Sequence, residues 1–256
     1  MLTDPLFYAV AIPGVILLGL TKGGFAGIGV VVVPLMSLAV SPVVAASIVL
    51  PILLVQDVVS VWVFRKTWDR GLLILMLPAA AVGILLGWAL AAFVNEAAVE
   101  LAVGAIAIVF ALQRLWAERA LSGAEQIEAT PGRPWFGVLC GATAGFTSQI
   151  AHAGGPPFQI YVLPRRLPRD TFIGTSAIFF AVVNWMKVPA YAALGQFTPK
   201  VLATAGVLLP LAIVSTWAGV WLVRRVPAEG FYRVIYILLV LVGGKLVFDG
   251  ARGLLT

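Results

Sequence analysis

The chain has 256 residues, of which 61% are hydrophobic and only 11% are charged. This composition excludes a soluble globular protein, and apolar runs of about twenty residues predict helices that cross a bilayer. The formal net charge of +6 comes from basic residues in short loops, which favours membrane orientation over nucleic-acid binding.

The predicted elements form two halves of similar design. Each half begins with an apolar segment interrupted by glycines and continues with three uninterrupted segments of spanning length. The first half is predicted at residues 6–40 (interrupted), 45–64, 71–94 and 97–115, and the second at 135–163 (interrupted), 171–193, 201–223 and 231–248. A polar stretch joins them, so we predict a first repeat at 1–116, a cytoplasmic linker at 117–134 and a second repeat at 135–256.

A short motif occurs once in each half. Gly19-Leu20-Thr21 recurs 126 residues later as Gly145-Phe146-Thr147, and glycines and a proline follow in both places. Such self-similarity indicates an internal repeat. The predicted helix-break residues are Gly23, Gly24, Gly27 and Gly29 in the first half, and Gly154, Gly155, Pro156 and Pro157 in the second.

Loop charges predict how the two halves are oriented. Twelve of the 17 Lys and Arg residues lie in four places: FRKTWDR, the linker region, PRRLPRD and VRRVPAEGFYR. Cytoplasmic loops are rich in Lys and Arg, and all four share that side only if each interrupted segment returns to the side it came from. Each half then has one re-entrant hairpin and three crossings. The predicted fold is an all-α polytopic membrane protein of two inverted repeats, with both termini extracytoplasmic.

The two interruptions are the predicted binding site. Irregular backbone at membrane depth is tolerated where it lines a polar cavity, and secondary transporters commonly bind substrate between such breaks. Lys22 is a charge within a membrane segment, where charges are commonly functional. Structural roles stay open: Lys22 reaches the surface or ties down the hairpin, the threonines satisfy freed backbone, and His152 is a core residue. The candidate substrate-binding residues are Thr21, Lys22, Thr147, Ser148, Gln149 and His152.

Two further charged residues lie in the middle of predicted spans. Asp57 and Lys187 are 130 residues apart, so they occupy nearly corresponding positions in the two halves. Because an isolated charge in lipid is costly, both are expected inside the bundle. They either lock the halves together through an ion pair or hydrogen bonds, or couple transport to protons, with Asp57 as the coupling residue.

Catalysis is the less favoured interpretation. No nucleophile, base and orienting group can be assembled from neighbouring positions, and no nucleotide-binding motif is present. The single cysteine, Cys140, excludes an intrachain disulfide, and no Cys and His cluster has metal-ligand spacing. We therefore expect no enzyme activity, no cofactor and no bound metal.

The chain resembles the sulfite exporter TauE/SafE family of membrane permeases, also called the TSUP family. The resemblance rests on GLTKGGFAGIGVVVVP at 19–34, on GFTSQIAHAGGPP at 145–157 followed by IYVL, and on the duplicated organisation of nearly the whole chain. It implies transport of sulfite, an organosulfonate or a related small anion across the bacterial inner membrane. The first copy departs from the family pattern, because a second glycine often follows the position of Gly29.

We therefore expect a secondary carrier that moves a small anion by alternating access. Lys22 and the helix N-termini would offset the anion's charge, while hydroxyl and amide groups would hold its oxygens. The alternatives are a carrier of a cation or neutral solute with Asp57 as ligand, an intramembrane enzyme with His152 as base, and a scaffold subunit. The expected partners are the anion and the lipid bilayer, without nucleic acid, and a homodimer is left open.

Overall fold

The computed structural model describes residues 2–22, 28–91, 93–121, 132–222 and 229–255. The regular structure within these ranges is helical, which confirms the predicted all-α class. Two short 3-10 turns lie at Ile28–Val31 and Leu163–Arg165. The α-helices are α1 (Pro5–Lys22), α2 (Val32–Met36), α3 (Pro42–Phe64), α4 (Arg70–Ala91), α5 (Glu96–Leu121), α6 (Pro134–Ala151), α7 (Gly155–Val162), α8 (Arg169–Ala193), α9 (Pro199–Leu222) and α10 (Glu229–Leu255).

Among the described residues, six helices are long and apolar enough to cross a membrane: α1, α3, α4, α5 as far as Gln113, α8 and α9. These segments have 18 to 25 residues, or roughly 27 to 38 Å against a hydrocarbon core of about 30 Å. Large apolar side chains on their outer faces, such as Leu85, Val109 and Trp217, are more than half exposed. Lipid is the medium that suits such a surface, so the chain is a multi-pass membrane protein.

The first interrupted segment doubles back on itself. Gly29 lies beside the end of α1, since a Cβ atom built on it would be 3.3 Å from the Thr21 hydroxyl oxygen. Val32 lies beside the middle of α1, where a Cβ on Gly14 would be 3.3 Å from its side chain. Residues 28–36 therefore run back along α1. Three predicted break residues lie outside the described residues: Gly23, Gly24 and Gly27.

The second interrupted segment has the same form. Residues 152–154 separate α6 from α7, and α7 opens with Gly-Pro-Pro, whose missing N–H groups cost little in a first helical turn. Beyond α7, Arg165 Nη2 donates a hydrogen bond of 3.2 Å to the Gly132 carbonyl, to which the Tyr161 hydroxyl donates at 3.4 Å. The chain therefore returns to the start of α6.

The main packed helix pairs have counterparts when the two halves are exchanged. With α1 to α5 matched to α6 to α10 in order, each of these pairs corresponds to another packed pair or to itself. Helix α1 packs on α9 as α6 packs on α4, α3 packs on α9 as α8 packs on α4, and α5 packs on α10. The matched motif glycines permit these contacts. A Cβ on Gly19 would lie 2.5 Å from the carbonyl carbon of Ser215, and one on Gly145 would lie 2.7 Å from the carbonyl carbon of Ala80. This pairing supports two repeats; their inverted orientation stays a prediction.

The two described loops that are rich in Arg and Lys, at residues 65–69 and 163–168, lie at one end of the bundle. Between α3 and α4, the Thr67 hydroxyl donates to the Asp170 carbonyl at the start of α8, at 3.3 Å. Residues 163–168 connect α7 to α8, and Arg165 among them contacts Gly132, just before α6. The start of α6 therefore lies at this end too. The opposite end holds residues near the N-terminus, where the Leu2 N–H donates to the Thr204 hydroxyl at 2.8 Å. We call these the basic end and the N-terminal end.

Candidate functional site

A cavity of about 110 Å³, here the first cavity, lies between the two interruptions. Lys22 and Gly29 line it from the first hairpin, and His152 and Gly155 line it from the second. Helices α3, α7 and α8 complete the wall. One water needs only about 10–15 Å³ of such space, so the cavity has room for several waters or for a small polyatomic anion.

An ion pair fixes the end of α1 to α3 at the cavity wall. The Lys22 ammonium pairs with Asp57 Oδ1, and Asn184 Nδ2 of α8 donates a 2.6 Å hydrogen bond to Asp57 Oδ2. The Asp57 side chain is 2% exposed, whereas that of Lys22 is 11% exposed. An ammonium has three N–H donors, so Lys22 can bind a ligand in the cavity beside its carboxylate partner.

A second lysine lies behind the wall, among three neutral acceptors. Lys187 Nζ is 3.0 Å from the Ser148 hydroxyl oxygen, 3.2 Å from the Ser148 carbonyl oxygen and 2.6 Å from His152 Nδ1. The Ala46 carbonyl can only accept, so His152 Nε2–H donates the 2.9 Å bond to it. In a neutral imidazole Nδ1 is then an acceptor, and the three N–H donors of Lys187 each meet one acceptor.

The backbone turn at His152 directs its imidazole into this network. His152 ends α6 with φ 51° and ψ 28°, in the left-handed region. Glycine is the usual residue at such a position, because a side chain there costs about 1–2 kcal/mol. The imidazole is held at both nitrogens, and its ring stacks on that of Tyr191 with 6.0 Å between centroids. Side-chain contacts therefore account for histidine at a glycine-like position.

These contacts occupy corresponding positions in the two halves. Lys22 and Ser148 are 126 residues apart, like the motif glycines, and Asp57 and Lys187 are 130 residues apart. The ion pair between α1 and α3 therefore corresponds to the Lys187 and Ser148 contact between α6 and α8. The lysine lies on the hairpin in the first half and on the long helix in the second. The shared scaffold thus carries two lysines and one carboxylate.

The described residues in and directly behind the wall of the first cavity include two lysines and one carboxylate. Among the described residues, no carboxylate lies within 4.0 Å of the fully buried Lys187 ammonium. With both lysines protonated, the site has one positive charge in excess of Asp57, and an uncompensated buried charge is costly. The Ser176 hydroxyl oxygen, on the cavity wall, is buried and has no hydrogen-bond partner in the described part of the chain. An anion would supply both the charge and the acceptor.

The structure places four of the six predicted binding residues on the wall of the first cavity: Thr21, Lys22, Ser148 and His152. Thr147 lies elsewhere, with its hydroxyl 3.0 Å from the Ala153 carbonyl across the interruption, where it satisfies freed backbone. Thr21 likewise donates to the Leu18 carbonyl at 2.5 Å. Gln149 lines a different cavity. Asp57 and Lys187 contact residues of the wall and do not contact each other directly.

Of the predicted break residues that the structure describes, Gly29 and Gly155 line the first cavity. Gly154 lies against α6, since a Cβ there would be 2.6 Å from the Ala144 carbonyl oxygen. Pro156 is buried in the first turn of α7, and Pro157 is beside it. In the described ranges, no group of His, Cys, Asp and Glu side chains is placed to hold a metal ion.

Sequence reasoning named Lys187 but missed the stripe of α8 residues to which it belongs. Residues of this helix recur every three or four positions along the cavity wall and the network behind it, which is the spacing of one helix face. Extending that spacing in both directions from Lys187 would have found them. The stripe comprises Ser176, Phe180, Asn184, Lys187 and Tyr191.

The family model described as "TauE: Sulfite exporter TauE/SafE" matches residues 11–246 of the chain. The matched range includes both interruptions and both lysines of the site, and covers nearly the whole chain. Comparisons with curated proteins and with solved structures give no match.

Proposed function

The chain belongs to the sulfite exporter TauE/SafE family of membrane transporters, and from this premise and the site geometry we propose that it is a secondary carrier of sulfite or an organosulfonate. One observation carries the proposal: among the described residues, two lysines and one carboxylate lie in or directly behind the wall of a cavity between two helix interruptions. Such a site favours an anion over a cation or a neutral solute. Both Asp57 oxygens already accept hydrogen bonds, which argues against Asp57 as a cation ligand.

The anion binds in the first cavity against the Lys22 ammonium. The unpartnered Ser176 hydroxyl donates to a second oxygen of the anion. Lys187, held one layer behind the wall by Ser148 and His152, adds its positive charge without direct contact. The hydroxyls of Thr21 and Thr147 donate hydrogen bonds to backbone carbonyls at the interruptions and not to the anion. The site therefore selects by charge and by cavity size.

Asp57 is proposed to couple transport to protons. The carboxylate and the anion would lie beside the same ammonium of Lys22, where their negative charges repel each other. Protonation of Asp57 weakens its ion pair and frees Lys22 for the anion. Binding of one anion would therefore be accompanied by uptake of one proton, which gives the carrier a driving force.

The halves are proposed to be inverted repeats in the bacterial inner membrane. The repeats would comprise residues 1–116 and 135–256 around a cytoplasmic linker at 117–134; helix α5 continues to Leu121, past the first of these boundaries. The basic end would face the cytoplasm, following the enrichment of Lys and Arg in cytoplasmic loops. Both termini would then be extracytoplasmic. The exchange-symmetric packing of the helices supports this arrangement.

Calorimetric titration of the detergent-solubilised protein with sulfite tests the proposal. Loss of a hydrogen bond to a charged group is worth about 1.5–3 kcal/mol, so Lys22→Met should weaken sulfite binding at least about tenfold. Lys245→Met is the matched control, because Lys245 is paired with Asp249 on the exposed face of α10. Equal sulfite affinity in both variants would contradict the assignment of Lys22. Binding of sodium or a neutral amino acid, without sulfite binding, would contradict the anion carrier.

A further inference from the structure

A second cavity, of about 90 Å³, lies on the other side of His152 from the first. It is lined by the start of α3 at Ala46, the end of α4 at Gly87, the start of α5 at Ala98, and the end of α8 at Tyr191. The first cavity instead reaches the start of α8 at Phe172. The two cavities therefore extend toward opposite ends of the bundle, the first to the basic end and the second to the N-terminal end.

At several points a residue that lines the first cavity contacts or directly precedes a residue that lines the second. His152 lines the first cavity and donates to the carbonyl of Ala46, which lines the second. Ser148 and Gln149 are consecutive, and they line the first and the second cavity respectively. Tyr191, in the second cavity, stacks on His152, and its hydroxyl donates to the Gln149 carbonyl at 3.0 Å. The barrier therefore consists of the break in α6 and the helix faces that contact it.

The second cavity is polar where it meets this barrier. Gln149 is only 5% exposed, and its side-chain oxygen Oε1 has no hydrogen-bond partner among the described residues. A buried amide oxygen costs about 1–3 kcal/mol unless a donor reaches it. Water would supply that donor, since 90 Å³ has room for several water molecules. The second cavity therefore has the space and the unpartnered acceptor that a bound water needs.

We propose that the second cavity is the other half of the anion's path and that the His152 to Ala46 hydrogen bond is its closed gate. This inference rests on the proposed carrier function and names its route. A small oxyanion would pass through the second cavity with water between it and the Gln149 side-chain oxygen, because both are hydrogen-bond acceptors. Opening requires His152 to leave Ala46, a motion at a helix break that disrupts no continuous helix.

Cysteine labelling tests the gate without any substrate. In a Cys140→Ala background, Ala98→Cys reports on the second cavity and Ser176→Cys on the first. Each variant is treated with the small membrane-impermeant reagent methanethiosulfonate ethylsulfonate, in right-side-out and in inverted vesicles. We expect Ala98→Cys to react from one face and Ser176→Cys from the opposite face. Val109→Cys, on the outer face of α5, should react from neither.

Removal of the gate should join the two compartments. Adding His152→Ala should make Ser176→Cys reactive from both faces, with the rate from its formerly closed face rising about two- to tenfold, as expected for the loss of one neutral hydrogen bond. His152→Gln keeps an N–H donor near the position of Nε2 and should preserve sidedness. Reaction of both cysteines from the same face, or unchanged sidedness in folded His152→Ala, would overturn the gate.

The sidedness of Ala98→Cys and Ser176→Cys, measured with His152 intact, decides the proposal even where His152→Ala does not fold. Opposite faces support it, and the same face refutes it. Labelling does not depend on sulfite. If the two cavities react from opposite faces but the protein binds no sulfite, the proposed sulfite carrier is wrong and the proposed gate is still supported.

Discussion

Replacing Asp57 by asparagine removes the carboxylate that pairs with Lys22 and keeps the size of the side chain. The Lys22 ammonium is then buried without a counter-charge, beside a second lysine that also has no carboxylate within 4.0 Å among the described residues. Breaking one side of a buried ion pair costs about 3–5 kcal/mol. Because Lys22 is 11% exposed, we take the lower value, about 3 kcal/mol.

This loss has a measurable size in a thermal unfolding assay. For chains of 150–250 residues, each kcal/mol shifts the unfolding midpoint by about 2–4 °C. Asp57→Asn should therefore unfold about 6–12 °C below the wild type in detergent. The double variant Lys22→Met with Asp57→Asn replaces both charges, and removal of a whole buried pair is often nearly neutral. It should unfold close to the wild type.

Sulfite should reverse the effect in the single variant, because the anion replaces the missing carboxylate beside Lys22. Ligand at about 100 times its dissociation constant stabilises by about 2.7 kcal/mol, so sulfite should restore most of the loss in Asp57→Asn. It should stabilise the double variant least. The reasoning would be refuted if Asp57→Asn were as stable as the wild type, or if the double variant were destabilised as strongly as the single one.

Three further experiments test other parts of the account. Gly145→Ala should destabilise the protein by about 1–3 kcal/mol in a denaturation assay, because its Cβ would overlap the Ala80 backbone. Gly206→Ala is the control and should be neutral or stabilising, because its Cβ would have nothing within 4 Å. Equal effects of the two substitutions would contradict the close packing of α6 on α4. Asn184→Leu removes a donor to Asp57 and should cost about 1.5–3 kcal/mol, with unchanged thermal stability as the contrary result. If Asp57 couples protons, Asp57→Asn liposomes should move sulfite without acidifying their interior, whereas wild-type liposomes should acidify; equal acidification would contradict the coupling.

The general architecture could be predicted from the sequence because its signals are local. Runs of apolar residues fixed the helices, and glycines with a proline marked the two hairpins. The pair Gly19 and Gly145 predicted a repeat, and in the structure these two glycines pack α1 on α9 and α6 on α4. Lys22 drew attention because a charge at such a position is rare.

The partners of the charged residues could not be predicted in the same way. Helices α3 and α8 are apolar on most of their surface, so the sequence does not specify which face of each meets the other. Asp57 and Lys187 were obvious as a pair from their matched positions, yet Asp57 pairs with Lys22, and Lys187 contacts Ser148 and His152. Rotating α3 or α8 about its own axis by a few tens of degrees would exchange the Asp57–Lys22 pair for an Asp57–Lys187 pair. Tertiary packing sets that rotation.

The position of Gln149 illustrates the same limit at a finer scale. It follows Ser148 directly, and both were predicted to bind the anion in one site. Successive residues of a helix point about 100° apart, so one of them faces the first cavity and the other faces the second. A shared motif therefore identified the right segment without assigning its residues to the right side of the barrier.

Flux of radiolabelled sulfite into proteoliposomes tests the central claim most directly. The comparison is between the wild type and the double variant Lys22→Met with Asp57→Asn, because the variant keeps a neutral, well-packed pair and removes the ammonium that faces the first cavity. The account predicts sulfite uptake by the wild type that excess unlabelled sulfite suppresses, and uptake by the folded double variant no faster than by liposomes without protein. Equal sulfite flux through both proteins would contradict it.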